Sequence, residues 1–376
     1  MESSRPQIGV GVLRHARRPQ RGHFTKRRLG IPHATPRGSR PILFLLLLFL
    51  FLPFPLSAAG AEEASPYAKA VAAYQDRRLD EALVFAKEAI REEPEHVEAY
   101  LLLGELYYLR QDLDKAQESW QRALKLAPSR RDIRERLEKL EREAPLEKGL
   151  SRSDTAPFVV RFAENQMALD VGDLRQVLRD TYREVGQQFQ YFPDHPITVI
   201  LYPPSSFEQV KGLSHQVAGL YDGKIRLPIG AHSQSQENLK RILWHEYTHS
   251  LVHDLAKGRC PIWLNEGIAV LQETRVFPID SRTIQEILQK RPLIPWSQLW
   301  QEEYAQGDLE FHYVQGYLVA QYLVRHWGWN DLVSLLKRLG QGYPIGDALQ
   351  AQYKEDPRTL EKEWLVWLKN RGILGG

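Results

Sequence analysis

The chain of 376 residues has a single cysteine, Cys260, so no internal disulfide can brace it and its stability must come from its core. A lone thiol beside Pro261 reads as a small residue at a helix boundary, and a nucleophilic role has no supporting partner in the sequence. Long apolar runs are scarce too. The one at Pro41–Leu56 is about 15 residues, is interrupted by Pro53 and Pro55, and falls short of the ~20 residues that span a bilayer. A basic excess is also missing from most of the chain. Residues 1–61 hold 10 Lys/Arg and one acidic residue, leaving 40 basic against 46 acidic from Glu62 onward. That balance offers no nucleic-acid surface.

The composition otherwise fits a folded protein, with 43% hydrophobic and 26% charged residues. The leader has a basic segment, an apolar run and then "SAAGAEEA". That order is the pattern of a secretory signal peptide, with cleavage expected after Ala59 or Ala61. Export to the periplasm or medium follows as an expectation. Left uncleaved, residues 41–56 would tether the protein to a membrane.

From Ser65 the pattern turns helical and repeats. "AYLLLGELYYLRQDLDKAQESWQRALKLAP" resembles a tetratricopeptide repeat, with Tyr100, Leu103, Gly104, Tyr107, Ala116, Trp120, Ala123 and Pro128 at the signature spacing. One period earlier, Ala82, Ala89 and Pro94 persist. A charged helix follows and reads as a solvent-facing cap. Such a stack presents either a docking groove for a protein partner or a spacer, and both readings stand. The expected organisation is a leader over 1–61, a repeat module over 62–144, a polar linker over 145–157 and a second domain over 158–376. In the last of these, "FVVRFA" and "ITVILY" read as strands, and an amphipathic helix lies between them. An Asp-Gly turn precedes a short strand at Lys224–Leu227. The fold class is α+β: helical hairpins, then a domain with a small mixed sheet and a mainly helical C-terminal part, whose Trp364 and Trp367 help close the core.

The chemistry concentrates in "SQENLKRILWHEYTHSLVHDLAKG". Ser235 can open this helix and Gly258 can close it. His245 and His249 are four residues apart, so both project from one face and can share a zinc ion. Glu246, about 100° further round, cannot easily ligate the same ion but can act as general base toward a water beside it. Chance gives about 0.02–0.03 such motifs in a chain of this composition. A catalytic zinc takes three protein ligands, and Glu266 in the next helix is the expected third. His253, one turn past His249, is the rival.

The motif followed by "WLNEGIA" (Trp263–Ala269) resembles the gluzincin metallopeptidases, the class of thermolysin and aminopeptidase N. It is closer still to the peptidase MA-like domain that often follows tetratricopeptide repeats in exported proteins. The resemblance implies one Zn2+ per chain, held by His245, His249 and Glu266, with Glu246 as base and proton shuttle. It implies that the strand Lys224, Ile225, Arg226, Leu227 is the edge along which a peptide substrate lies. It also implies an oxyanion donor near the start of the helix "LEFHYVQGYLVAQYLVRHWG", for which Tyr313 is the choice, with His312 and Tyr317 behind it. The family's acidic residue four positions after the third ligand is absent, because position 270 is Val. Support for the histidines must then come from Asp254, Asn265 or Glu273. Two other functions compete: a degenerate scaffold acting through its repeats, and a zinc hydrolase of a non-peptide amide.

Overall fold

A computed structural model describes residues 64–163, 171–210, 219–228, 235–300 and 309–374. The signal-peptide expectation falls on residues 1–61 and lies outside them. Among the described residues, no helix is long and apolar enough to cross a membrane.

The repeat module is five helices: α1 (Pro66–Gln75), α2 (Leu79–Glu92), α3 (Val97–Leu109), α4 (Leu113–Leu126) and α5 (Arg131–Glu147). Ser65 caps the first, accepting from the Ala68 N–H. Small residues let neighbouring helices close up, with Ala82, Ala86, Ala99, Ala116 and Ala123 fully buried. A Cβ on Gly104 would lie 2.3 Å from the Trp120 indole, so the glycine of the repeat signature makes room for its tryptophan.

The expected linker does not exist. Residues 145–147 are the last turn of α5, ended by Gly149 at φ +81°. Ser151–Thr155 is β1, paired antiparallel with β2 (Phe158–Phe162). Its side chains alternate between half-buried and exposed, so a polar edge strand has the composition of a loop.

The rest of the chain follows as α6 (Val171–Phe189), β3 (Ile197–Tyr202), α7 (Pro204–Val210), β4 (Leu220–Tyr221) and β5 (Ile225–Pro228). Helices complete it: α8 (Gln236–Ala256), α9 (Ile262–Glu273), α10 (Ser281–Leu288), α11 (Trp296–Leu299), α12 (Leu309–Trp327), α13 (Trp329–Gly340), α14 (Ile345–Tyr353) and α15 (Pro357–Asn370). The 5-stranded sheet runs β1-β2-β3-β5-β4. Its inner pairs are parallel and its outer pairs antiparallel.

Alternation along the strands sends side chains to two cores. Ile197, Val199, Leu201, Ile225 and Leu227 join the main core with α6, α8, α9, α12 and the C-terminal helices. Ile200 and Tyr202 face the other way, against Phe207, Val210 and Leu146 of α5. Repeats and sheet therefore share a packed face, and residues 64–376 form one compact unit.

The expected substrate strand also needs correction. Strand β5 is not an edge, because β4 pairs with it: Leu220 opposes Arg226 and Tyr221 opposes Ile225. Ile225 and Leu227 are core residues, and Lys224 and Arg226 are fully buried toward the repeats. Arg226 contacts Glu143 at 3.0 Å and Glu147 at 3.2 Å on α5, and also Asp222. Lys224 lies 3.5 Å from Glu147 and over the Tyr108 ring of α3. Two cations taken out of water need these partners. A peptide has no access to either face of this strand.

Candidate metal centre

Helix α8 is buried on nearly all sides, as Leu243, Tyr247, Leu251 and Ala256 show by their lack of exposure. Ser235 caps its start, accepting from the Asn238 N–H, and Lys257 and Gly258 end it in left-handed backbone. Pro261 then turns the chain directly into α9. That tight turn lays α9 back over α8 and carries Glu266 to the histidines.

The four-residue spacing sets the His245 and His249 rings edge to face, with centroids 4.8 Å apart. Their Nε2 atoms lie 3.6 and 3.7 Å from the same Glu266 oxygen, Oε2. Ligands bonded at ~2.0–2.1 Å to a tetrahedral zinc stand about 3.4 Å apart, so this spacing suits one ion. Ligand atoms of His245, His249 and Glu266 all fall within 4.8 Å of one another, the one such group of three among the described residues.

The opposite ring nitrogens decide which lone pairs are free. Nδ1 of His245 lies 2.9 Å from Glu273 Oε2, and Nδ1 of His249 lies 3.0 Å from Asn265 Oδ1. Carboxylate and amide oxygens accept only, so each Nδ1 carries the proton and donates it. Each Nε2 is turned toward Glu266, the side from which a metal would be held. Glu273 is held in turn by Arg241. It lies seven residues after Glu266, two turns along the same helix face, and so does the work of the acidic residue missing at position 270. Asp254 is not part of this shell. It pairs with Arg77 at 2.7 Å and His195 at 2.8 Å. His253 faces Arg77 rather than the cluster, which removes it as a rival ligand.

Charge balance follows the same pattern. For His245, burial opposes the charged form, but the Glu266 and Glu273 carboxylates outweigh it and raise the pKa well above the ordinary value. For His249, burial prevails and lowers it. Burial disfavours ionised Glu266 as well, yet the two histidines keep its carboxyl below its ordinary value. Glu246 is the exception. Burial pushes it up to about 8, His245 opposes that, and Glu266 and Glu273 add to it. It lies outside the ligand group, next to the chain at Gly219, where a Cβ would sit 2.7 Å from its Oε1. Strand β4, outermost in the sheet, begins at the next residue. Sequence reading found the Asp222-Gly223 turn but missed this strand, because two residues show no alternation.

Tyr313 lies in the second turn of α12, half-buried against the main core. His312 is buried beside Arg291, 3.0 Å from its guanidinium, and Tyr317 accepts from Gln321 at 2.6 Å. The metal-type group itself draws only on α8 and α9. Burial pushes the Cys260 thiol far up, which suits a structural residue and not a nucleophile.

Residues 196–370 match the family model of the Peptidase MA superfamily, and residues 73–139 match a tetratricopeptide-repeat model. The chain thus carries a Peptidase MA superfamily domain behind a tetratricopeptide-repeat region. No curated protein and no solved structure matches it.

Proposed function

We propose that this Peptidase MA superfamily chain is an exported zinc metallopeptidase that hydrolyses peptide bonds. The observation that carries the reading is the convergence of two Nε2 atoms and one carboxylate oxygen, each histidine fixed from behind by Glu273 or Asn265. His245, His249 and Glu266 would hold one Zn2+. When bound, the ion supplies Lewis acidity that polarises the scissile carbonyl and makes a nearby water acidic at neutral pH.

The remaining chemistry belongs to the chain. Glu246 takes a proton from the attacking water and delivers it to the leaving amine. Strand β4, the outer strand of the sheet among the described residues, would pair its backbone with an extended peptide beside Glu246. Tyr313 donates its O–H to the developing oxyanion. The leader of residues 1–61 directs export.

Zinc content tests the reading first. The protein without its leader should hold about one zinc per chain, and His249→Ala should hold little. The loaded protein should cleave unfolded casein, and Glu246→Gln should not. A parent that takes up no zinc sinks the enzyme, and equal cleavage by both proteins sinks the peptidase.

A further inference from the structure

A cavity of about 270 Å³ opens beside the metal ligand His249 and its partner Asn265. Its far wall is not part of the peptidase domain. Tyr74, Arg77, Glu105 and Leu109 of the repeats form it. The wall is fixed in place. Arg77 donates to Tyr221 on the edge strand at 2.7 Å and pairs with Asp254 on the histidine helix at 2.7 Å. The Asp222-Gly223 turn presses on α3 so closely that a Cβ on Gly223 would lie 2.6 Å from Leu109 Cδ2. The repeats therefore meet both the edge strand and the histidine helix around a cavity that reaches His249.

The charges of this wall are unequally spent. Arg77 is held by Asp254, Tyr221 and His253. Asp254 has Arg77 and His195, and Asp222 has Lys139 and Arg226. Glu105 pairs with Arg136, whose side chain is 46% exposed while that of Glu105 is 20% exposed. Such an ion pair is weak and exchanges readily for another cation. Below Glu105 lies the apolar surface of Leu109. An apolar stem with a cationic end fits that sequence of surfaces.

We propose that this cavity is a substrate subsite whose specificity is set by the repeats. A lysine or arginine side chain of the peptide, near the bond being cut, lies along Leu109 and pairs with Glu105. The inference rests on the peptidase reading above and adds to it a role for the repeats. They are neither a spacer nor a remote docking module but one wall of the cleft.

The test compares the zinc-loaded protein with Glu105→Gln and Glu105→Lys on unfolded casein, with cut sites mapped by mass spectrometry. Zinc content equal to the parent's certifies each variant's fold. The parent should show Lys and Arg enriched at one position flanking the cut. That enrichment should fall about fivefold in Glu105→Gln, the size of one partly exposed ion pair, and turn toward Asp and Glu in Glu105→Lys. A photo-cross-linker at position 74, on the same wall, in the Glu246→Gln protein should capture a lysine-containing casein peptide, and excess unlabelled peptide should compete. Cleavage with the same cut-site profile in all three proteins, or a cross-linker that captures nothing while the peptide binds, overturns this inference alone. A loaded parent that neither cuts nor binds casein overturns the peptidase reading, and this inference with it.

Discussion

Gly267 and Gly316 touch backbone to backbone: a Cβ on Gly267 would stand 2.3 Å from the Gly316 carbonyl carbon. Helix α12 therefore packs on α9 one residue from Glu266, the proposed third ligand. Gly267→Ala should force the helices apart, lowering stability by about 1–3 kcal/mol. Because Glu266 rides on the displaced helix, zinc should also be released more easily. Thermal unfolding and competition with a chelator measure the two effects separately.

The residues behind the histidines should tune metal affinity without ligating. Glu273→Gln and Asn265→Ala should each weaken zinc binding by about 10- to 100-fold. Chelator titration reads this directly. Unchanged affinity in both would mean that the Nδ1 contacts do not orient the rings.

Glu246→Gln separates metal binding from proton transfer. It should retain one zinc while kcat falls by about 10²- to 10⁴-fold, the ordinary share of a general base. Loss of zinc in this variant would instead make Glu246 a ligand.

Arg77 and Asp254 form a nearly dry ion pair, their side chains 9% and 2% exposed. Arg77→Met should cost about 3 kcal/mol, since it strips the cation from a buried carboxylate. Burial works against that carboxylate, but His195, His253 and the charge of Arg77 outweigh it and hold its pKa well below the usual range. A carboxyl depressed in the folded state stabilises above its unfolded value and loses that contribution as pH falls toward its folded one. The gap between parent and variant should be full at pH 7 and narrow below about pH 4. Denaturant titration at several pH values checks both the size and the window.

Much of this site was legible because helical spacing is rigid. Two histidines four apart can point only one way, and Pro261 announced the return of the chain that delivers Glu266. Asn265 and Glu273 were candidates on the same ground. What escaped reading depended on partners distant in sequence. Lys224 and Arg226 were read as part of an edge strand that lines up a substrate, because nothing local shows that Glu143 and Glu147 await them across the sheet. Ser151–Thr155 looked like linker because an edge strand with one wet side can be polar throughout. Arg77, held at φ 60° between two repeat helices, gave no sign that it reaches Asp254.

The buried cations of β5 bear on how such a chain can be inherited. Repeat arrays are commonly lengthened, shortened or exchanged because each unit touches only its neighbours. Here the last repeat helix supplies Glu143 and Glu147 to Lys224 and Arg226, so a transplanted array lacking those carboxylates would leave Lys224 without its ion-pair partner and Arg226 with Asp222 alone. Family models divide the protein into two modules, but α5 and β5 are constrained to change together.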